Sequence, residues 1–183
     1  AELGTAKYIW AEFPRMEQAD ALMNEHGVCV ASDGCSSKED IEDFTNGGIL
    51  YDVRINIAKY ATSARHAAEL IGEMVVKYGY RGSGRTYLVA DPTEGWIVSV
   101  VKGRHWVAQR VPDDKVMIIP NYYVIDKVDL SDKNNFLGSP DLIDYAIKRG
   151  WYNPDKDGEF SFRKAYASPK TIASKHNINR HRQ

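Results

Sequence analysis

The sequence predicts an α+β fold, an antiparallel meander covered by helices, and three observations carry the prediction. Four short apolar runs, residues 87–90, 96–101, 105–111 and 116–119, are rich in β-branched and aromatic side chains and are separated by brief turn signals. Connections that tight join antiparallel neighbours, because a parallel crossover needs roughly a dozen residues or more. Residues 64–78 place Ala67, Leu70, Ile71, Met74, Val75 and Tyr78 on one stripe of a helix. Within the runs, apolar residues also stand side by side, as in Ile97-Val98, Val100-Val101 and Met117-Ile118-Ile119. Such runs imply that water reaches neither face of the sheet, so layers lie above and below it.

The 183 residues are read as a single domain, 1–183, long enough for a sizeable core. Lys and Arg number 24 against 25 Asp and Glu, a net charge of -1. That balance gives no electrostatic reason to expect a nucleic-acid or membrane-surface partner. No apolar run approaches the ~20 residues that span a bilayer. Localisation is not legible. Two cysteines, Cys29 and Cys35, make neither a disulfide scaffold nor a zinc site. They read as small buried hydrophobes, with their pairing left open. Nothing in the chain calls for a metal or a cofactor.

Taken in order, residues 7–13 read as a strand stopped by Pro14, and residues 15–21 as a polar loop. Asn24-Glu25-His26-Gly27 is a turn into a second strand, 28–32. Ser36 and Glu39 then fit a capping box that opens a short helix ending before Asn46-Gly47-Gly48. Residues 51–60 are helical in tendency. Thr62 or Ser63 caps the helix 64–78, and Gly79 stands where a left-handed C-cap is wanted. Arg81-Gly82-Ser83-Gly84-Arg85 reads as a flexible loop before the meander. After Asn121 the chain is read as loop and short strand to Leu130. Ser139 as N-cap and Pro140 at N1 open a helix through Arg149 that stops at Gly150. Residues 160–162 read as a brief strand. No linker divides the chain.

No nucleophile elbow, phosphate loop, zinc helix or dinucleotide fingerprint is present. The five histidines are scattered, and Asp113-Asp114 suits a solvated turn. Two asparagines and an arginine stand out instead. Asn24 lies in a turn feeding a strand, where the backbone can hold its amide and leave the NH2 facing outward. Asn121 follows Pro120 at the end of the last apolar run, a sheet-end position. For each, the plainer alternative is an asparagine that caps its own turn. Arg180, in the basic tail, is by default a solvated charge.

A resemblance adds to this. Met23-Asn24-Glu25-His26-Gly27-Val28, Ala90-Asp91-Pro92-Thr93-Glu94-Gly95-Trp96, and the stretch from His105 to Asp114 followed by Pro120-Asn121 resemble the bacterial cysteine dipeptidases. These are N-terminal-nucleophile (Ntn) hydrolases related to penicillin V acylase and bile-salt hydrolase. Residues 141–151, 160–166 and 177–182 are similar to the same family, so the resemblance covers nearly the whole chain. It implies a four-layer αββα sandwich and hydrolysis of the amide bond of a dipeptide substrate. A mature N-terminal Cys supplies the thiolate, its own α-amino group acts as base, and amide donors stabilise the oxyanion. By motif, Asn24 resembles the oxyanion-hole asparagine, Asn121 the second active-site asparagine, and Arg180 the arginine beside the nucleophile. Arg182 competes for the arginine's role.

One departure is large. The chain begins at Ala1, nothing before Asn24 matches the family's nucleophile-bearing start, and Cys29 and Cys35 follow the asparagine turn. The expectation is therefore an internal fragment, inactive by itself, whose parent is a dipeptidase. Its partners would be the remainder of the parent chain, or further copies held through exposed sheet edges. Two other readings stand beside it: a non-peptide amidase or acylase of the same superfamily, and a binding or structural module with a dead site.

Overall fold

A computed structural model describes residues 4–12, 14 and 19–177 of the chain. Among these residues the elements run β1 (Tyr8–Glu12), β2 (Ala19–Asn24), β3 (Cys29–Gly34), α1 (Asp52–Tyr60), α2 (Ala64–Tyr78) and β4 (Tyr80–Ala90). They continue through β5 (Gly95–Gly103), β6 (Trp106–Arg110), β7 (Phe136–Gly138), α3 (Leu142–Lys148), α4 (Pro154–Asp157), α5 (Phe162–Tyr166) and α6 (Pro169–Ile172). The described strands form one antiparallel sheet in chain order, β1 to β7. The predicted α+β class and antiparallel meander are what the chain adopts.

Helices α1 and α2 cover one face of the sheet. Val53 and Ile57 of α1 and Ala67, Ala68, Ile71 and Val75 of α2 pack on Val30, Tyr87, Val89, Trp96, Val98 and Val100. Helix α2 occupies the predicted span; Ser63 Oγ accepts the His66 N–H at 3.1 Å, and Gly79 closes the helix at φ 75°. On the other face, Ile97, Val101 and Val107 meet Tyr123, Ile125, Leu142, Phe162 and Tyr166 from α3, α5 and the loop before β7. Two-sided burial therefore holds for β5 and β6.

It fails at the β1 end. By register, Ile9, Met23, Cys29 and Ala90 form one row across β1 to β4, and Ala11, Ala21, Ala31 and Leu88 form the next. These rows lie on the face away from α1 and α2. There Ile9 is 70% exposed, Met23 44% and Leu88 37%. The rows line an apolar groove of about 420 Å³.

Several expectations are corrected. Residues 116–119 are not a strand: Val116 and Ile118 face solvent while Met117 and Ile119 pack inward, an alternation without a ladder partner. The place beside β6 belongs to β7, a segment of three residues that pattern reading passed over. Strand β2 begins inside the expected loop, its pairing with β1 and β3 overriding the poor strand propensity of Ala and Asp. Consequently residues 28–32 are interior and, among the described strands, β1 is the edge at that end. Residues 81–85 are strand, not loop: a Cβ on Gly84 would lie 2.1 Å from the Tyr123 hydroxyl, so the glycine permits close approach. No helix follows Ser36: its hydroxyl meets that of Ser83 at 3.3 Å instead of capping, and Ser37 bridges to Ala167. The short strand expected between Asn121 and Leu130 is absent from that described stretch, and residues 160–162 lead into α5, capped by Ser161. Helix α3 starts after Asp141, while Ser139 Oγ accepts the Trp106 N–H.

Candidate active site

Asn24 ends β2 and is 4% exposed. Its Oδ1 accepts the N–H groups of His26 (3.1 Å) and Val28 (3.0 Å), which fixes the β2–β3 turn. Its Nδ2 donates to the carbonyls of Ala58 (3.2 Å) and Ala61 (2.7 Å) at the C-terminal end of α1. The backbone does hold the amide as expected. The NH2 group, however, faces inward and satisfies carbonyls that a helix end leaves without partners. Both of its hydrogens are engaged.

Asn121 sits in the loop after β6, beneath the C-terminal end of β3. Its Nδ2 donates to Asp33 Oδ1 and, at 3.2 Å, to the Gly34 carbonyl. Its own carbonyl accepts from Asn177 Nδ2 at 3.3 Å, and Asn177, 6% exposed, also reaches the Thr171 carbonyl. Asp33 pairs in register with Thr86, and Thr86 with Ser99. The two hydroxyls are fully buried and 3.1 Å apart. A polar row thus crosses the sheet between the bare apolar rows and the second core.

The structure separates the two predicted asparagines. Asn24 lies on the α1 side of the sheet at one end of β3, and Asn121 on the opposite side at the other end. Five residues of β3 between them amount to about 17 Å. Arg180 and Arg182 lie outside the described residues. Of the tail motif only Asn177 is described, and it reaches Asn121. Sequence reading missed Asp33 and Asn177. Asn177 lay within the family-like tail, and Asp33 lay in a strand where only register reveals which face it shares.

Neither cysteine has catalytic surroundings. Both thiols are free. Burial pushes the Cys35 thiol up to about 12, against weaker opposing hydrogen bonds from Thr86, and its Sγ lies 4.0 Å from the Pro120 carbonyl. Cys29 lines the bare groove. Among the described residues no three His, Cys, Asp or Glu side chains are placed to hold a metal, and no helix is long and apolar enough to cross a membrane.

The signature stretches are structural braces. Asp91 accepts from Thr93 and Glu94 within its turn and from the Ala64 N–H at 2.7 Å, joining the β4–β5 turn to the start of α2. Arg110 pairs with Glu94 at 3.0 Å and Asp113 at 2.7 Å across the end of β5 and β6.

The domain is an antiparallel sheet with α1 and α2 on one face, α3 and α5 over the β5–β6 part of the other, and beside them a bare apolar patch with a polar cluster at its margin. Comparison supplies the family: the model for peptidase family C69 matches residues 5–182, and the chain belongs to that family. It is 29% identical over 174 residues to a probable dipeptidase of Latilactobacillus sakei, covering 88% of this chain and 36% of that protein. It is 31% identical over 172 residues to a probable dipeptidase of Salmonella dublin, covering 88% and 39%. Against dipeptidase A of Lactobacillus helveticus it is 33% identical over 141 residues, covering 76% and 29%. The chain spans about a third of the length of these relatives.

Proposed function

We propose that this chain is part of a cysteine-type dipeptidase, an Ntn hydrolase that cleaves the amide bond of dipeptides. The observation that carries this reading is the family match over residues 5–182, and the relatives named as dipeptidases supply the substrate class. The nucleophile is an N-terminal cysteine of the mature full-length protein, not Cys29 or Cys35. Neither of these carries a free α-amino group to act as base, and burial holds Cys35 as a thiol.

The four-layer sandwich follows in the same reading. The bare rows of β1 to β4 meet a second sheet, which removes their apolar surface from water at roughly 25 cal/mol per Å². Asn121 stands at the margin of that buried seam, and Arg180, which follows Asn177 by three residues in the sequence, keeps the role that its motif gives it. Asn24 sets the β2–β3 turn, and a donor role toward an oxyanion requires its amide to leave the Ala58 and Ala61 carbonyls.

The test is hydrolysis by the full-length protein, assayed on a dipeptide panel and on a panel of acyl amides. Turnover of dipeptides that is abolished by replacing the N-terminal cysteine with Ala is the expected result. Preferential cleavage of the acyl amides would move the assignment to the acylase side of the superfamily. Absence of turnover on both panels would leave a binding or structural module.

A further inference from the structure

We propose that Asp33 is a positioning residue for Asn121, fixing which end of that amide the site receives. The inference rests on the placement of Asn121 in the active site made above. It adds a residue, Asp33, that neither motif nor resemblance singled out.

An asparagine amide has one donor end and one acceptor end of nearly the same shape, so its orientation is set by what surrounds it. At the amide nitrogen of Asn121 two acceptors meet. The Asp33 carboxylate and the Gly34 carbonyl can only accept, and both face Nδ2. The amide nitrogen therefore points to the end of β3, and Oδ1 points away from it. The bond to Asp33 has an ionised acceptor, which makes it the stronger of the two. Asp33 is itself held, since its Oδ1 also accepts the Gly34 N–H at 2.9 Å.

The backbone of Asn121 is held independently. Asn177 Nδ2 donates to its carbonyl from the C-terminal segment, and Tyr123, two residues on, is anchored by donation to the Val100 carbonyl at 2.7 Å. The loop that carries Asn121 is thus fixed by neighbours other than Asp33. Loss of the Asp33 carboxylate removes the stronger of the two acceptors at Nδ2, keeps the Gly34 carbonyl, and leaves the backbone in place. That separation gives the positioning role its own signature. A group that reacting atoms meet must be held within a fraction of an ångström, a tolerance far tighter than global stability demands of a half-buried hydrogen bond.

The test uses Asp33→Asn, Asn121→Ala and the double variant in the full-length protein. Asp33→Asn keeps the size of the side chain but offers both an acceptor and a donor, so only the Gly34 carbonyl still selects Nδ2 and the orientation of the Asn121 amide is less firmly set. With an active wild type, Asp33→Asn is expected to lower kcat by about 10-fold to 100-fold with KM changed by less than about threefold. The double variant should be no slower than Asn121→Ala alone, because the two residues act as one unit. Multiplicative losses, or a wild-type kcat in Asp33→Asn, would overturn the proposal. If the wild type hydrolyses no dipeptide, the dipeptidase reading fails separately and the side-chain amide resonances of Asn121 decide. Slow exchange and a distinct shift that vanish in Asp33→Asn support the positioning, and unchanged resonances refute it.

Discussion

The carboxylate of Glu39 and the guanidinium of Arg149 meet from positions 110 residues apart in the chain. The Glu39 side chain is 2% exposed, and it also accepts from the Tyr145 hydroxyl at 2.6 Å and from the N–H groups of Asp40 and Ile41. The residue read as half of a capping box instead ties residues 36–41 to the end of α3. Arg149 further stacks on Trp151, with 4.5 Å from guanidinium to ring centroid. Removing one partner of such a pair strands the other charge. Arg149→Ala is expected to destabilise the fold by about 3 kcal/mol, the low end for breaking a buried pair because Glu39 keeps its other donors. Replacing both, as Glu39→Gln with Arg149→Met, should cost less than Arg149→Ala alone. Urea unfolding of the two variants beside wild type measures this, and equal losses would contradict the buried-charge account.

Helix α2 crosses β6 at a point where no side chain fits. A Cβ on Gly72 would lie 2.0 Å from Cζ2 of Trp106 and within 2.5 Å of two further ring atoms. Gly72→Ala gains roughly 1 kcal/mol of helix propensity. Overpacking against a buried indole costs typically 1–3 kcal/mol or more, so the substitution should be net destabilising. A Gly72→Ala variant that unfolds at higher urea than wild type would show that α2 and Trp106 are not in contact.

The pH dependence of stability should carry a contribution from Asp91. Burial works to raise its pKa, but the donors Ala64 N–H, Thr93 Oγ1–H, Thr93 N–H and Glu94 N–H outweigh burial and hold the carboxyl at about 2, below the ordinary 3.8. A depressed folded-state value means the stabilisation is complete above 3.8 and is lost as pH falls from 3.8 through about 2. Asp91→Asn should therefore be less stable than wild type at neutral pH, with the gap closing across that acid window. A gap that stays constant down to pH 2 would exclude the linkage.

The two thiols should differ in reactivity. With the Cys35 thiol at about 12, on the order of one molecule in 10⁴ carries its thiolate at pH 8, and the group is buried besides. Cys29 lines the open groove. A thiol-specific reagent should modify Cys29 in the native chain and Cys35 only after unfolding. Peptide mapping with equal early labelling at both positions would refute this order.

What the sequence revealed and concealed follows from range. Helix α2 was legible in full because its stripe, its Ser63 cap and its Gly79 stop all lie within it. Strands β5 and β6 and the second half of β4 were legible from tight turns, while the first half of β4, rich in glycine, read as loop. Residues 116–119 were misread because an alternating pattern records which side chains are buried, not whether a neighbour strand exists. The helix after Ser36 was misread because Glu39 has a stronger partner in Arg149, unseen locally. At the candidate site, motif likeness pointed to Asn24 and Asn121 without indicating that β3 separates them. Asp33 joined Asn121 only through register, a property of strand pairing that no single segment carries.

The bare face of β1 to β4 leads to the last prediction. Ile9, Met23 and Leu88 are exposed on adjoining rows, with Cys29, Ala31 and Ala90 between them, around a groove of about 420 Å³. A contiguous apolar patch of this kind is covered by another surface when one is available. The 183-residue chain by itself should therefore self-associate as its concentration rises, through this face and the adjoining β1 edge. Met23→Lys with Leu88→Lys places two charges on that face at positions already open to water. The pair should abolish association with little loss of folding stability, since exposed substitutions usually stay within about 0.5 kcal/mol. Light scattering across a concentration series, beside urea unfolding of the same samples, provides the measurement. A wild-type chain that stays a monodisperse monomer at high concentration, or a double-Lys variant that associates as wild type does, would place the contact elsewhere.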